Sequence, residues 1–277
     1  MKSLIVKGIP MTIRVGIDAS GPSKAALRWA TERAIQRSEP VELVHVVDDE
    51  WGQRGRQYTE DEEVEGTRVL ASAFEFAVAA LPSALLTSRL AHGSMAYALS
   101  EAAADGDTVV VGTHKTGYLR GRVIGTRSIV VASTAPCDVV VVPDVSLAAR
   151  HGVVVGVAAG PHWPVAAVAG ARAAAQLEQG LILVHAAPEG DSSDSLARQL
   201  LDSAAARVSA EEPAVAVRSR VSRRRAADAL LDASHDACLL VMGTSRHSAD
   251  RFIGSVIHDV LLNINAPVLV ARNSDEV

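Results

Sequence analysis

The chain has 277 residues, 48% hydrophobic and 3% aromatic, with a formal charge of −5. That is enough apolar material for one large or two ordinary domains. The negative balance and the few stacking rings exclude nucleic acid as a general partner.

Met1 to Pro10 carry a short apolar patch with Lys2 and Lys7, but lack the long apolar core and cleavage site of a secretory signal. Ile13-Arg14-Val15-Gly16-Ile17-Asp18 reads as a first strand, and Pro22 opens a helix with Leu27, Ala30 and Ala34 on one face. Val41 to Val46 is a second strand. The acidic run Glu60-Asp61-Glu62-Glu63 is expected to precede a second helix carrying Leu70, Phe74, Ala77 and Leu81. A third helix runs from Ser94 through Met95, Leu99 and Ala102. Short apolar strands alternating with helices imply right-handed crossovers and a parallel sheet covered on both faces.

The stretch Val109-Val110-Val111-Gly112-Thr113-His114-Lys115 is a β-branched run ending in glycine. Gly117, Gly121 and Gly125-Thr126-Arg127-Ser128 follow, ahead of an apolar helical pattern. A strand, a glycine loop and a helix N-terminus can turn backbone N–H groups and a helix dipole on an anion, and an ordinary βα turn has the same outline.

The second half repeats the first. Ile13 to Asp18 matches Val153 to Ala158, and Val41 to Val46 matches Leu181 to Ala186, both at an offset of 140. Val109 to Thr113 matches Leu240 to Thr244 at 131, and Gly125-Thr126 with Asp138 to Val141 matches Gly254-Ser255 with Pro267 to Val270 at 129. Four matched strands in one order describe a duplication with its boundary between Pro143 and His151, dividing the chain into residues 1–147 and 148–277. His151 to Ala171 has no charged residue and the length of a membrane span, but its prolines and glycines read as a buried strand and a helix start. Arg218, Arg220, Arg223, Arg224 and Arg225 read as a solvated corner, with docking of an acidic partner as the alternative. Cys137 and Cys238 form no CxxC pair and read as buried thiols in a reducing compartment, which leaves no zinc site.

No GxG, no GxxxxGK[ST], no HxGH, no GxSxG and no HExxH occurs. What remains is Val-Gly-Ile-Asp-Ala-Ser at 15–20, Val-His-Val at 44–46, Gly-Thr-His at 112–114, Gly-Thr-Arg-Ser at 125–128 and a terminal valine strand. In order and spacing these resemble the universal stress protein family in its tandem two-domain form, over nearly the whole chain. The resemblance implies an α/β fold of two doubly wound, five-stranded parallel sheets, similar to the adenine nucleotide alpha-hydrolases. It also implies ATP, carried with Mg²⁺, on a Gly-x-x-Gly-x9-Gly-Ser/Thr loop.

Transferred residue by residue, Asp18 would hold the ribose or adenine side and Val46 would contact the base, with Gly16, Ile17 and Val111 at the strand ends beside them. Gly112 and the backbone at Lys115 would approach the phosphates, and Gly125, Thr126, Arg127 and Ser128 would close around them. Lys115 stands where the motif has its second glycine, so the loop is either reshaped or supplied with an ammonium for a phosphate. In the second half Asp18 becomes Ala158, Val46 becomes Ala186, the Gly243 to Gly254 loop is two residues shorter, and Arg246 takes the second glycine position. That half is expected to keep the fold without ordinary ATP binding.

The resemblance also implies pairing of the valine strands 139–142 and 268–270 between the halves, with homodimerisation as a further step. The expected protein is a cytoplasmic, nucleotide-responsive regulator rather than an enzyme. One alternative is a nucleotide-independent scaffold with two degenerate clefts. Another is a slow ATPase, in which Asp18 or His114 would activate water.

Overall fold

The computed structural model of the protein describes residues 11–47, 56–104, 106–114, 118–119, 122–123, 126–187, 191–244 and 253–272. In the first half the chain alternates β1 (Ile13–Gly16), α1 (Gly21–Arg37), β2 (Val41–Val47), α2 (Arg56–Val78), β3 (Leu86–His92), α3 (Met95–Ala102) and β4 (Thr108–Thr113). A small hairpin, β5 (Tyr118–Leu119) with β6 (Arg122–Val123), leads to α4 (Thr126–Thr134) and β7 (Asp138–Pro143). The second half runs β8 (Val153–Gly156), α5 (Trp163–Gln176), β9 (Leu181–Ala186), α6 (Asp191–Glu211) and β10 (Val217–Ser222). It closes with α7 (Ala226–Ala233), β11 (Leu239–Thr244), α8 (Ser255–Leu262) and β12 (Val268–Arg272).

Strand order is β10-β9-β8-β11-β12-β7-β4-β1-β2-β3. Each half is a five-stranded parallel sheet, and the two join where β12 meets β7 antiparallel, Val268 opposite Val141 and Val270 opposite Val139. The continuous valine runs follow from helices on both faces: Val109, Val110 and Val111 are successive residues, yet all are buried. Alternate side chains enter two cores. One lies under α1, α2, α5 and α6 and holds Val15, Leu43, Val110 and Val155; the other lies under α3, α4, α7 and α8 and holds Val44, Val109, Val111 and Leu240. The joint is reinforced by Arg37 Nε of α1 donating to Gln176 Oε1 of α5 (2.9 Å) and Arg272 N donating to Asp138 Oδ1 (2.8 Å).

Helix positions agree with the periodicity, with two departures in α2, which ends at Val78 and so leaves Leu81 beyond it. Ser94 caps α3, accepting from Tyr97 N, and Leu27, Ala30 and Ala34 of α1 are buried. Glu60 to Glu63, however, lie inside α2, which begins at Arg56. No proline or glycine interrupts residues 56–65, and most of them are good helix formers, so the helix extends upstream of the acidic run. His151 to Ala171 forms β8 and the start of α5, and among the described residues no helix is long and apolar enough to cross a membrane. Of the arginine cluster, Arg218 and Arg220 stand exposed on the edge strand β10, while Arg223 and Arg224 pair with Asp194 and Asp232. A charged edge strand of this kind discourages further sheet growth.

The halves differ in how they fill the strand starts. In the first, Arg14 Nε lies 2.8 Å from Glu42 Oε2 as an ion pair, its Nη1 meets Asp107, and Arg89 Nε donates to Glu42 Oε1 (2.9 Å). Asp107 also accepts from Thr12 N (2.8 Å) and Ala104 N (2.6 Å). At the matching positions the second half has Val154, Ile182 and Cys238, and Gln179 Oε1 takes the amide of Gly152 (2.8 Å). Removing one partner of a buried pair leaves the others uncompensated, whereas apolar replacement of the pair is often neutral. Arg14→Val alone should therefore cost about 3–5 kcal/mol in chemical denaturation. Arg14→Val with Glu42→Ile and Asp107→Cys, copying the second half, should be more stable than the single variant; equal instability would mean the charges are not coupled.

Both cysteines are free thiols. Burial, with Asp138 and Asp107 nearby, pushes the Cys137 thiol up to about 12, so it carries almost no thiolate at pH 8. Iodoacetamide at pH 8 should leave Cys137 unmodified in the folded protein and alkylate it in denaturant, as read by peptide mass spectrometry.

Candidate functional site

Within the first half β1 leads through α1 to β2 on one side, while β4 pairs with β1 on the other. The connections reverse direction between β1 and β4, and in open α/β sheets the crevice beyond the strand ends at this point is where ligands sit. Ile17 and Asp18 follow the end of β1, Thr113 closes β4 and His114 follows it.

Asp18 is exposed, and its surroundings are built by the start of α1. Ser20 is the N-cap, accepting from Ser23 N (3.3 Å), and Pro22 sits in the first turn. Ser20 also donates to Asp18 Oδ1 from its backbone N (3.1 Å) and from its hydroxyl (2.5 Å). Asp18 N donates to Ser23 Oγ (3.0 Å). Both side-chain bonds given to Asp18 fall on Oδ1. Between Asp18 and Ser20, Ala19 adopts φ +48°, a left-handed conformation unusual for a residue with a Cβ. Such strain persists only where neighbouring bonds enforce it. Neither Ser20, although it closes the 15–20 motif, nor Ser23 is among the expected site residues, yet a serine two residues before Pro22 is a recognisable cap signal.

The remaining expected site residues are placed as follows. Ile17 is buried; its N donates to Val44 O (2.8 Å) and its carbonyl accepts from His45 Nδ1 (2.7 Å). Gly16 has Leu99 and Val111 side chains where a Cβ would contact them at 3.3 Å, and Val111 is itself a core residue, so neither offers a side chain to the crevice. Val46 is half-buried at the end of β2. Thr126 opens α4, Arg127 is exposed, and Ser128 is buried inside the same helix. Lys115, Gly125 and Arg246 lie outside the described residues, and the glycine-rich stretch contains the β5–β6 hairpin rather than one uninterrupted loop.

Gly112 has a definite steric reason. A Cβ there would stand 2.2 Å from Pro22 O and 2.7 Å from Ser23 N, so the missing side chain lets the end of β4 touch the first turn of α1. Gly243 repeats this against His162 O at 2.3 Å in the second half. The polar set is not repeated: Asp18, Ser20 and Ser23 correspond to Ala158, Gly160 and Trp163, and His162 at the N-cap of α5 makes no side-chain cap bond. Ala186 replaces the half-buried Val46. Among the described residues no group of three or more His, Cys, Asp and Glu could hold a metal ion.

The model of the universal stress protein family matches residues 11–143 and again 150–272. The chain belongs to the universal stress protein family. It is 28% identical over 294 residues to the universal stress protein Rv2623 of Mycobacterium tuberculosis, covering 95% of this chain and 96% of that one. A universal stress protein of Mycolicibacterium smegmatis is 27% identical over 285 residues, covering 94% and 96%. The crystal structure of a universal stress protein from Archaeoglobus fulgidus superposes with a TM-score of 0.70 at 16% identity, across 94% of this chain and 98% of that chain. The tandem arrangement of this universal stress protein is thus one that full-length relatives share.

The glycine contacts generate a test that separates steric need from ligand need. Gly112→Ala and Gly243→Ala should each destabilise by about 3 kcal/mol, because backbone must move to admit the methyl group. Gly254→Ala, with nothing within 4 Å of its Cβ, should stay within about 0.5 kcal/mol. Urea denaturation of the three variants reads the difference.

Proposed function

We propose that the first-half crevice binds an adenine nucleotide, with ATP as the species, and that the protein acts in the cytoplasm as a nucleotide-responsive regulator rather than as an enzyme. The observation that carries this reading is the asymmetry at the β1 and β8 exits. Asp18 is exposed and held on one oxygen by the Ser20 cap, whereas the second half has Ala158 at that point. An exposed carboxylate at this strand exit suits the hydroxyls of a ribose, as acceptor for O–H donors. Universal stress proteins have been solved in complex with dAMP and with cAMP, properties of those proteins. In this chain the start of α4 at Thr126 would supply the positive end of a helix dipole for the phosphates. The chemistry of the group would be that of a bound effector, whose influence equals its differential affinity for two states of the protein. Homodimerisation through surfaces outside the β7–β12 joint would then be one state that the nucleotide biases.

One observation favours the scaffold reading instead. Gly112 and Gly243 are both accounted for by the packing of a helix start, so the glycine at the end of β4 does not require a ligand.

Calorimetric titration of the full chain with ATP and Mg²⁺, beside Asp18→Ala and Ala158→Asp variants, separates the two readings. One site per chain, weakened at least tenfold by Asp18→Ala, supports the nucleotide binder. Heat absent in wild type, with folding intact by circular dichroism, would leave the scaffold.

A further inference from the structure

His45 sits in the middle of an apolar strand, and the sequence alone gives it no role beyond packing in the core. The structure gives its ring a directed bond. A carbonyl can only accept, so Nδ1 carries the hydrogen and donates to Ile17 O at 2.7 Å. Ile17 is the residue immediately before Asp18. With its N bound to Val44 O and its carbonyl bound to His45, Ile17 is held through both of its backbone polar groups. On its far side the ring lies against α2 at Gly66, where a Cβ would stand 2.6 Å from Cδ2 and 3.0 Å from Nε2. Gly66 therefore makes room for the ring, and His45 ties α2 to the exit of β1.

The second half repeats the bond. His185 Nδ1 lies 2.7 Å from Val157 O, and Val157 immediately precedes Ala158. The same clamp thus acts once on a carboxylate and once on a methyl group. Whatever His185 contributes to the fold, it positions nothing polar, and this makes it an internal control for its counterpart.

We propose that His45 is the positioning residue of the first-half site: through Ile17 O it sets where the Asp18 carboxylate stands. The inference deepens the nucleotide reading and rests on it for the identity of the ligand, but not for the positioning itself. Bonds converge on the Ile17–Asp18–Ser20 segment from His45, Val44, Ser23 and the two donors of Ser20. Of these, the bonds to Val44 and His45, both in β2, come from outside the β1–α1 connection, and that of His45 is the one made by a side chain, so substitution can remove it. The others are local and move with α1.

The test compares His45→Phe, which keeps a ring and removes the donor, His45→Asn, whose amide offers a donor near the Nδ1 position, and His185→Phe. Two readouts are taken: the Asp18 carboxyl titration by carbon-13 NMR without ligand, and ATP·Mg²⁺ affinity by calorimetry. His45→Phe should shift the Asp18 titration midpoint and weaken ATP about tenfold. His45→Asn should recover most of both. His185→Phe should lower the melting temperature by an amount similar to His45→Phe while leaving both readouts at wild-type values. An Asp18 titration unchanged in His45→Phe, or changed equally in His185→Phe, would overturn the positioning role. Absence of ATP heat in the wild type would overturn the nucleotide reading alone, because the NMR titration still decides whether His45 positions the carboxylate.

Discussion

The antiparallel pairing of β7 with β12 is the contact on which the rest of the molecule depends. Two parallel sheets each end in an edge of valines, and such an edge exposes unsatisfied backbone groups. Placing Val139 to Val141 against Val268 to Val270 satisfies both edges at once and buries the side chains on either face. Because this one junction is antiparallel, the carboxyl ends of the strands point one way in the first half and the opposite way in the second. The two crevices therefore open at opposite ends of a single ten-stranded sheet. No small ligand can bridge them, and each is free to differ in chemistry while sharing its scaffold.

Comparing the halves at matched positions separates what the fold demands from what the first crevice adds. Gly112 and Gly243 face the carbonyls of Pro22 and His162, and His45 and His185 hold the carbonyls of Ile17 and Val157. The glycines occur in both halves because strand ends must meet helix starts in both, and the histidine clamp recurs with them, once beside a carboxylate and once beside a methyl group. Asp18, Ser20 and Ser23 occur in one half only, replaced by Ala158, Gly160 and Trp163 in the other. The strand starts show the same division, with Arg14, Glu42 and Asp107 against Val154, Ile182 and Cys238. Ionic and apolar fillings of one site can stabilise a fold equally well, provided the ionic set is complete.

The repeat was legible in the sequence because buried parallel strands are written as unbroken valine runs, and such runs align without gaps. The boundaries of α1 and α3 were legible through Pro22 and Ser94, residues whose backbone chemistry fixes a helix start. The start of α2 was not, since an acidic run marks a helix terminus only when nothing upstream is helix-forming. At the site, Asp18 could be picked out as a carboxylate at a strand end. Its cap partners could not be read as a unit, because the bonds from Ser20 and Ser23 depend on the left-handed turn at Ala19. His45 was hidden for a different reason. A histidine in an apolar strand looks like core, and the carbonyl it finds belongs to a neighbouring strand 28 residues earlier in the chain. Gly112 drew attention as a phosphate glycine, yet its steric reason lies in a helix that the linear motif does not mention.

These contacts also constrain how a ligand at Asp18 could be felt elsewhere. Helix α1 begins at the Ser20 cap beside Asp18 and runs 17 residues, about 25 Å at the usual rise. Its last turn carries Arg37, which reaches across the joint to Gln176 of α5. One rigid element thus touches the first crevice at its amino end and the second half at its carboxyl end. The linker between the halves runs along a different path and is itself pinned, with Arg150 Nη1 donating to His235 O (2.8 Å) and His151 N to Asp236 O (2.9 Å). A ligand that alters the Asp18–Ser20 cap acts on the start of α1, and coupling requires an element with two arrangements that both sites bias. Among the contacts described, α1 meets the positional requirement, because its cap is part of the crevice and its far end is part of the joint.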